Sequence, residues 1–193
     1  MTMIIRCYNE KHPYLLFLDL EFNNRDLVQF AGLLFSWIDE ETYQLMSSIN
    51  LYVSQKVCYP FAEYTSITNS FLSENGIPLA DARELINDWL ADIDLDDICI
   101  IGHGLKNDRL VLIENGIELT HKSNGQPIDG YCTFNNAKRI LNRQSHLTLA
   151  DLTNESGYYL HHAHNAYNDV WAEVAVYTYL KKVEAQKGEV LVC

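Results

Sequence analysis

The segment that decides the fold is YLLFLDLEF, residues 14–22, in which a run of apolar side chains ends in two acids. The compact apolar run Tyr14–Asp19 predicts a buried central strand. Asp19 and Glu21 stand at positions i and i+2, so both side chains point to the same face at the strand end. Two carboxylates on one face repel each other unless a proton or a cation bridges them. A turn cap followed by an exposed loop acid gives the same spacing, so the pair alone decides nothing.

Three segments downstream extend this strand into a sheet. Leu27–Ile38 and a segment around Tyr43–Val53 are separated only by the acidic turn Asp39–Glu41, and so short a turn joins antiparallel strands. Together with residues 14–19 they predict an antiparallel meander. Ile98–Ile101 is a further short apolar segment that leads directly into GHGLKND. We therefore predict an α/β protein with a mixed sheet that combines the meander with parallel strands.

Helical patterns occupy much of the remaining chain and are expected to cover the sheet. They are assigned to Asp81–Ile93, to a helix that follows GHGLKND and ends at Gly116, and to Phe134–Leu141, Leu149–Glu155 and about Ala166–Lys182. The first of these helices is expected to place five apolar residues on one face: Leu85, Ile86, Trp89, Leu90 and Ile93. Residues 117–130 contain two glycines and a proline and are expected to form a loop.

Length and composition are those of one globular domain. The 193 residues are 48% apolar and 21% charged, which predicts a single domain over residues 1–193 with its core at about 14–182. No apolar run approaches the roughly 18 residues that a membrane span needs, and charged residues interrupt the N-terminal segment before any signal-peptide core, so a cytoplasmic protein is expected. The five cysteines are scattered and form no CxxC pair, which disfavours a zinc site or a disulfide framework.

The charge balance opposes tight binding of nucleic acid. Fourteen basic and 26 acidic residues give a net charge of −12, whereas proteins that bind nucleic acid tightly usually carry an excess of lysine and arginine. Acidity of this kind often serves solubility alone. It is compatible with a nucleic-acid substrate if several of the carboxylates hold divalent cations, because the cations then supply local positive charge.

Two other segments place acids and a histidine where helices begin. Asp108 lies in IGHGLKND (101–108), where the predicted strand passes into a helix, and the helix dipole favours an acid there. The segment HHAHNAYND (161–169) opens the last helix and contains His164 and Asp169 in the pattern HxAxxD. Carboxylates are hard oxygen ligands that suit magnesium or manganese, and no cysteine lies near the histidines to favour another metal.

Taken in order, these motifs resemble the DEDDh (DnaQ-like) exonuclease family: Asp19-x-Glu21, then Asp108 within GHxLxND, then His164-x-Ala166-x-x-Asp169. The flanking segments LVQFAGLLF (27–35), TSIT (65–68) and LTLADL (147–152) resemble the same family, and the resemblance covers roughly residues 14–182. The sister branch of the family has a tyrosine four residues before the last aspartate. This chain has Asn165 there, so the histidine branch is indicated.

Two departures from the family pattern concern the substrate. The threonine-rich stretch that often follows DxE is replaced by Phe22-Asn23-Asn24. The HNAxFD of DNA-proofreading members reads HGLKND in this chain, which is closer to RNA exonucleases of the Rex type. This form favours RNA without excluding DNA.

The resemblance implies an RNase H-like fold, with a mixed five-stranded sheet flanked by helices, and a 3′–5′ exonuclease that releases nucleoside 5′-monophosphates from single-stranded DNA or RNA. It implies two Mg²⁺ or Mn²⁺ ions per site, held by four acids: Asp19, Glu21, Asp108 and Asp169. His164 is then the general base, and its imidazole suits that role because its ordinary pKa lies near neutrality. The candidate substrate-binding residues are Phe22, Asn23, His103 and Lys106.

The partners implied are the 3′ ends of single-stranded nucleic acid, with no membrane and no indicated polymerase or other protein. Candidate phosphate contacts are Lys106, Arg109, Lys138, Arg139 and Arg143, although charged residues on helices usually just face solvent. Two other interpretations stay open. One is a catalytically silent module on the same fold that binds nucleic acid or protein. The other is an unrelated α/β protein whose acids match by accident.

Overall fold

Six strands form one mixed sheet in the computed structural model, which describes residues 3–39 and 41–190. They are β1 (Ile4–Arg6), β2 (Tyr14–Asn23), β3 (Asp26–Asp39), β4 (Thr42–Tyr52), β5 (Ile98–Gly102) and β6 (Gly130–Cys132). Their order across the sheet is β1-β4-β3-β2-β5-β6. β2, β3 and β4 form an antiparallel meander, and β5 adds parallel to β2.

The α/β class and the mixed sheet are as predicted, but the predicted total of five strands is wrong. β1 and β6 are the two edge strands, and each has only three residues. A segment of that length shows no hydrophobic period, and it becomes a strand only because a neighbour offers backbone partners. β6 lies at the end of the segment predicted as a loop, where Ile101 pairs with Tyr131.

Seven helices cover the described parts of the sheet. They are α1 (Tyr59–Thr65), α2 (Asn69–Asn75), α3 (Leu79–Trp89), α4 (Leu105–Glu114), α5 (Thr133–Leu141), α6 (Leu149–Ser156) and α7 (Ala166–Val190). The predicted inward face of α3 is wrong at Leu85, which is 45% exposed, whereas Ile86 is buried. Across the described residues no helix combines the length and the apolar character that crossing a membrane requires.

β2 is the central strand because both of its faces are buried. Leu16 and Leu18 belong to the core layer shared with α3 and α4, and Leu15 and Phe17 belong to the opposite layer, which includes α7. All four side chains are fully inaccessible to solvent. Burial of one such side chain contributes about 1.5–3 kcal/mol, so the position of β2 is strongly determined. The strand therefore delivers Asp19, its first half-buried residue after this run, to a fixed place.

A buried polar cluster fixes α7 against the N-terminal segment. Glu10 accepts hydrogen bonds from the hydroxyl of Tyr177 and from Nζ of Lys181, the latter at 3.2 Å. Burial alone would raise the pKa of Glu10, but the hydrogen bonds from Tyr177 and His12 lower it to about 2. The helix that carries Asp169 is thus held along its length as well as at its start.

Candidate active site

The end of β2 supplies the first two acids of a carboxylate cluster. Asp19 lies opposite Ala31 of β3, and Glu21 lies opposite Gln29, with a bulge directly after Glu21. One carboxylate oxygen from each of Asp19, Glu21 and Asp169 lies within 4.8 Å of the other two. The period of the strand has therefore placed both acids of DxE on one face, and that face meets the start of α7.

Gln29 holds the first residue of α7 beside this strand end. Its side chain is fully buried, and its Oε1 accepts a hydrogen bond of 3.1 Å from the backbone N–H of Ala166. Asp169 is oriented within the same turn, because its Oδ2 accepts a hydrogen bond of 2.9 Å from the backbone N–H of His164. Since Gln29 pairs with Glu21 across the sheet, α7 begins next to the acids of β2. The sequence offered one signal for Gln29, a lone amide inside an apolar strand.

α4 contributes a fourth acid, Asp108. The helix begins after Gly104, whose φ of 88° is a left-handed conformation that glycine adopts without strain. Asp108 lies in the first turn and is 5% exposed, and the helix dipole favours its charge there. Its Oδ2 has no hydrogen-bond partner within the part of the chain that the structure describes.

A fifth carboxylate, Glu173, was not singled out by any motif. It follows Asp169 by one helical turn on α7 and is fully buried. Its Oε1 accepts a hydrogen bond of 2.6 Å from the backbone N–H of His103, whereas its Oε2 has no partner among the described residues. Burial raises the pKa of Glu173 well above its ordinary value, and the charges of Asp19 and Asp108 raise it further.

Burial and mutual repulsion disturb the titration of the whole cluster. Burial, followed by the charges of Asp108, Asp169 and Glu21, raises the pKa of Asp19 well above its ordinary value. Burial also raises the pKa of Glu21 to about 8, of Asp108 to about 7 and of Asp169 to about 6. In the absence of a cation these acids therefore share protons at neutral pH.

The cluster fits divalent cations of the hard class. Among the described residues no lysine or arginine forms a salt bridge with any of these acids. Asp108 Oδ2 and Asp169 Oδ1 are both buried, and neither atom has a hydrogen-bond partner among the described residues. Buried, unpaired carboxylates are costly unless a proton or a metal compensates their charge. An all-oxygen donor set of this kind suits Mg²⁺ or Mn²⁺.

We expect Mn²⁺ to raise the melting temperature more at pH 8 than at pH 6. The folded-state pKa values of Glu21, Asp108 and Asp169, about 8, 7 and 6, lie above their ordinary values near 4, so the native protein binds extra protons across this window. Metal-free stability therefore falls as pH rises, while a cation competes with fewer protons. Differential scanning fluorimetry with and without Mn²⁺, at matched ionic strength, measures the difference. A shift equal at both pH values would contradict the prediction.

His164 lies beside the cluster with its ring stacked on Tyr64. The ring centroids are 3.8 Å apart and the ring planes are inclined by 32°. The backbone of His164 is left-handed, with a φ of 67°, and burial lowers the pKa of its imidazole from the ordinary value. The ring accepts and donates no hydrogen bond within residues 3–39 and 41–190, so its nitrogens are available to a molecule in the cleft.

The acids and His164 line a cleft of about 630 Å³, a size typical of ligand sites. Of the four predicted substrate-binding residues, Phe22 and His103 line this cleft, and Asn23 and Lys106 are not among its described lining residues. Asn23 is buried, where its Oδ1 accepts a hydrogen bond from the thiol of Cys58. Lys106 is exposed on α4.

The other candidate phosphate contacts are mostly engaged elsewhere. Arg139 and Arg143 form exposed salt bridges with Glu184 and Glu155, and Arg109 donates a hydrogen bond to the carbonyl of Ile128. Lys138 differs, because its Nζ lies 4.5 Å from the centroid of the Phe134 ring. Since Phe134 lines the cleft, Lys138 brings positive charge close to one of its walls.

Three aromatic residues of the cleft wall were not anticipated from the sequence: Tyr64, Phe134 and His146. The Phe134 ring lies 5.7 Å from that of His103, edge to face, and 5.4 Å from that of His146. Tyr64 lies on α1 and remains 64% exposed. These residues belong to separate elements, so no local spacing links them, and only the fold brings them to one cavity.

Comparison of the sequence with family models and with curated proteins gives no match. Several solved structures share the fold. E. coli exonuclease I in complex with a dA16 oligonucleotide superposes with a TM-score of 0.68 at 16% identity, covering 93% of this chain and 43% of that chain. Exonuclease X in complex with 5′ overhanging duplex DNA gives 0.63 at 15% identity, with coverages of 89% and 93%. The nuclease domain of 3′hExo, a DEDDh family member bound to rAMP, gives 0.68 at 10% identity, with coverages of 90% and 94%.

Identities of this size establish a shared fold and no more. The chain spans 43% of the length of exonuclease I. 3′hExo is matched over nearly its whole nuclease domain. The chain therefore has the RNase H-like fold of the DEDDh exonucleases.

Proposed function

We propose that this protein is a metal-dependent exonuclease that shortens single-stranded nucleic acid from the 3′ end and releases nucleoside 5′-monophosphates. The observation that carries the proposal is the convergence of four acids and one imidazole on a single cleft. Asp19 and Glu21 come from β2, Asp108 from α4, and His164 and Asp169 from the start of α7. Residues about 150 positions apart in the chain meet there, which accidental matches to short motifs would not produce.

The acids divide into two overlapping sets of ligands. Asp19, Glu21 and Asp169 would hold one cation, and Asp19 with Asp108 would hold the second. When bound, two divalent cations stabilise the attacking and leaving oxygens of an in-line displacement at phosphorus. The chain itself orients the ligands: Gln29 fixes the start of α7, and the backbone N–H of His164 holds Asp169 Oδ2.

His164 is proposed to remove a proton from the attacking water. Burial lowers its pKa from 6.5, so the imidazole is in its neutral, proton-accepting form at pH 7. The stacking contact with Tyr64 holds the ring in one plane without using either ring nitrogen. A histidine whose ring nitrogen is already hydrogen-bonded would have to break that bond before it accepted a proton. The His164 ring has no such bond among the described residues.

The cleft walls suit a single strand with exposed bases. Four aromatic residues line the cleft: Phe22, Tyr64, Phe134 and His146. The Tyr64 ring lies against His164, and the Phe134 ring lies against those of His103 and His146. Unpaired bases stack on aromatic side chains without regard to sequence, which matches a nonspecific exonuclease. Among proteins of this fold, a 3′-exonuclease that recognises the 3′ end of a histone mRNA stem-loop supports RNA as the substrate, and exonuclease I in complex with a dA16 oligonucleotide supports DNA.

Replacing Phe134 with alanine should raise KM for a single-stranded oligonucleotide roughly tenfold, because stacking on one base contributes about 1–3 kcal/mol. kcat should stay near the wild-type value, since Phe134 is assigned to binding that is equal in the ground and transition states. Steady-state kinetics with a fluorescent oligonucleotide measure both constants. Tyr159→Ala, which removes an aromatic ring that is 70% exposed and outside the described cleft lining, is the control. An unchanged KM in Phe134→Ala would contradict the stacking assignment.

One experiment tests the activity and its polarity together. The purified protein is incubated with single- and double-stranded RNA and DNA labelled at either the 3′ or the 5′ end, with Mg²⁺ or Mn²⁺ and with excess chelator. We expect a 5′-labelled single strand to shorten in steps, a 3′ label to be released at once as a mononucleotide, and the chelator to stop both. Binding of the oligonucleotides without any shortening would favour the catalytically silent module. Shortening from the 5′ end would overturn the proposed polarity.

A further inference from the structure

Glu173 is a buried acid of which only one carboxyl oxygen is hydrogen-bonded within the described part of the chain. Its side chain is inaccessible to solvent, and no basic residue among those the structure describes forms a salt bridge with it. Its Oε2 has no hydrogen-bond partner within the described part of the chain. A carboxyl group buried in this way is costly, and an apolar side chain of similar size would pack without that cost. A buried acid that carries such a penalty calls for a role in the site.

The contact that Glu173 does make is with the turn between β5 and α4. Its Oε1 accepts a hydrogen bond of 2.6 Å from the backbone N–H of His103. The same turn is tied from a third element, because Oγ of Thr133 lies 3.0 Å from Nδ1 of His103 and donates a hydrogen bond of 3.2 Å to the carbonyl of Gly102. Gly104 then starts α4 in a left-handed conformation.

The geometry of this turn sets the position of Asp108 relative to Asp169. Asp108 lies in the first turn of α4, and this helix begins at Leu105, shortly after the residues that Glu173 and Thr133 hold. Asp169 lies one turn before Glu173 on α7, so both acids belong to the same helix face. The hydrogen bond from His103 to Glu173 is thus a direct link between the elements that carry the two acids.

We propose that Glu173 is a positioning residue, which fixes the β5–α4 turn to α7 through the backbone N–H of His103 and so holds Asp108 in place for the second cation. The expected effect of Glu173 on cleavage rests on the proposed function. The expected effect of Glu173 on the affinity of the site for a cation does not depend on that function. The role requires a hydrogen-bond acceptor at this position and does not require a negative charge.

Two variants of similar size separate an acceptor from a charge. Glu173→Gln keeps an oxygen that accepts from His103, whereas Glu173→Leu removes it and fills the space. Mn²⁺ binding without nucleic acid, followed by electron paramagnetic resonance, is measured for both variants and for the wild-type protein. We expect Glu173→Leu to weaken the second Mn²⁺ site by about 10–100-fold, as loss of a residue that orients metal ligands usually does. Glu173→Gln should bind both ions as the wild type does.

Kinetics and melting temperature complete the test. In Glu173→Leu we expect kcat to fall by about the same 10–100-fold factor with KM for the oligonucleotide unchanged, while the metal-free protein still melts cooperatively above the assay temperature, because loss of the acceptor and removal of the buried carboxyl group act in opposite directions. A Glu173→Gln variant as impaired as Glu173→Leu would overturn the proposal, because charge would then be the requirement. Wild-type behaviour of Glu173→Leu, or a wild-type protein that binds no Mn²⁺, would overturn it as well. Normal Mn²⁺ binding without cleavage of any oligonucleotide would sink the proposed function alone.

Discussion

Replacing Asp19 with asparagine should slow phosphodiester cleavage by roughly a thousandfold or more, because cations in two-metal sites contribute several kcal/mol in the transition state and about 1.4 kcal/mol corresponds to a factor of ten. A carboxylate oxygen of Asp19 lies within 4.8 Å of oxygens of Glu21 and Asp169, and the charge of Asp108 also raises the pKa of Asp19. Its carboxylate is therefore assigned to both cations, and the amide of asparagine is a far weaker ligand. Single-turnover assays at saturating Mg²⁺ measure the rate of the chemical step directly.

The melting temperature separates this effect from misfolding. The Asp19→Asn substitution removes one acid from a cluster of buried, mutually repelling carboxyl groups, so the metal-free protein should be at least as stable as the wild type at pH 8. The stabilisation by Mn²⁺ should be largely lost. Asp88→Asn, which neutralises an exposed acid of α3, controls for net charge and should change neither property. A cleavage rate of Asp19→Asn within about tenfold of the wild type would contradict the assignment of the shared ligand.

The four acids and the imidazole could be predicted because their chemistry requires particular atoms at particular spacings. The i and i+2 positions of Asp19 and Glu21 place two carboxylates on one face of any strand, whatever surrounds it. The pattern HxAxxD places His164 just before the helix and Asp169 in its first turn, which the structure bears out. Such local rules hold before tertiary structure is known.

The residues that support the acids obey no local rule. Glu173 accepts a hydrogen bond from a backbone N–H that lies 70 positions away in the sequence. Gln29 accepts one from the first residue of α7, 137 positions away. Glu173 has no local signal, and the one signal of Gln29, a lone amide inside an apolar strand, does not reveal its partner. The pairing of an acceptor with one distant donor is decided by how α7 lies against β3 and β5.

The cleft walls illustrate a second limit of the sequence. α1 and α2 have seven residues each, so their helical form depends on packing more than on hydrophobic period. Tyr64, which stacks on His164, reaches the cleft only because α1 folds there. Asn23 shows the reverse case, since proximity to Glu21 in sequence predicts a substrate contact, yet its side chain turns inward to Cys58.

Replacing His164 with alanine should lower kcat by about 10²–10⁴-fold, the usual contribution of a general base. Mn²⁺ binding should persist, because His164 contacts the cluster through its backbone N–H to Asp169, and alanine retains that donor. The left-handed backbone of His164 is less favourable for alanine than for histidine, and His162→Ala carries the same cost in the same loop. Rapid-quench kinetics with a labelled oligonucleotide, together with Mn²⁺ binding, measure the two properties independently.

A control from the same loop isolates the imidazole. His162 is exposed and also has a left-handed backbone, with a φ of 51°. His162→Ala therefore makes the same substitution in the same loop and backbone conformation, outside the described cleft lining, and should cleave at the wild-type rate. Removing the His164 ring leaves a space against Tyr64, and free imidazole in the buffer should enter it and restore part of the activity of His164→Ala. Cleavage by His164→Ala at the wild-type rate would show that another group removes the proton. Loss of Mn²⁺ binding in the same variant would instead make His164 part of the metal site.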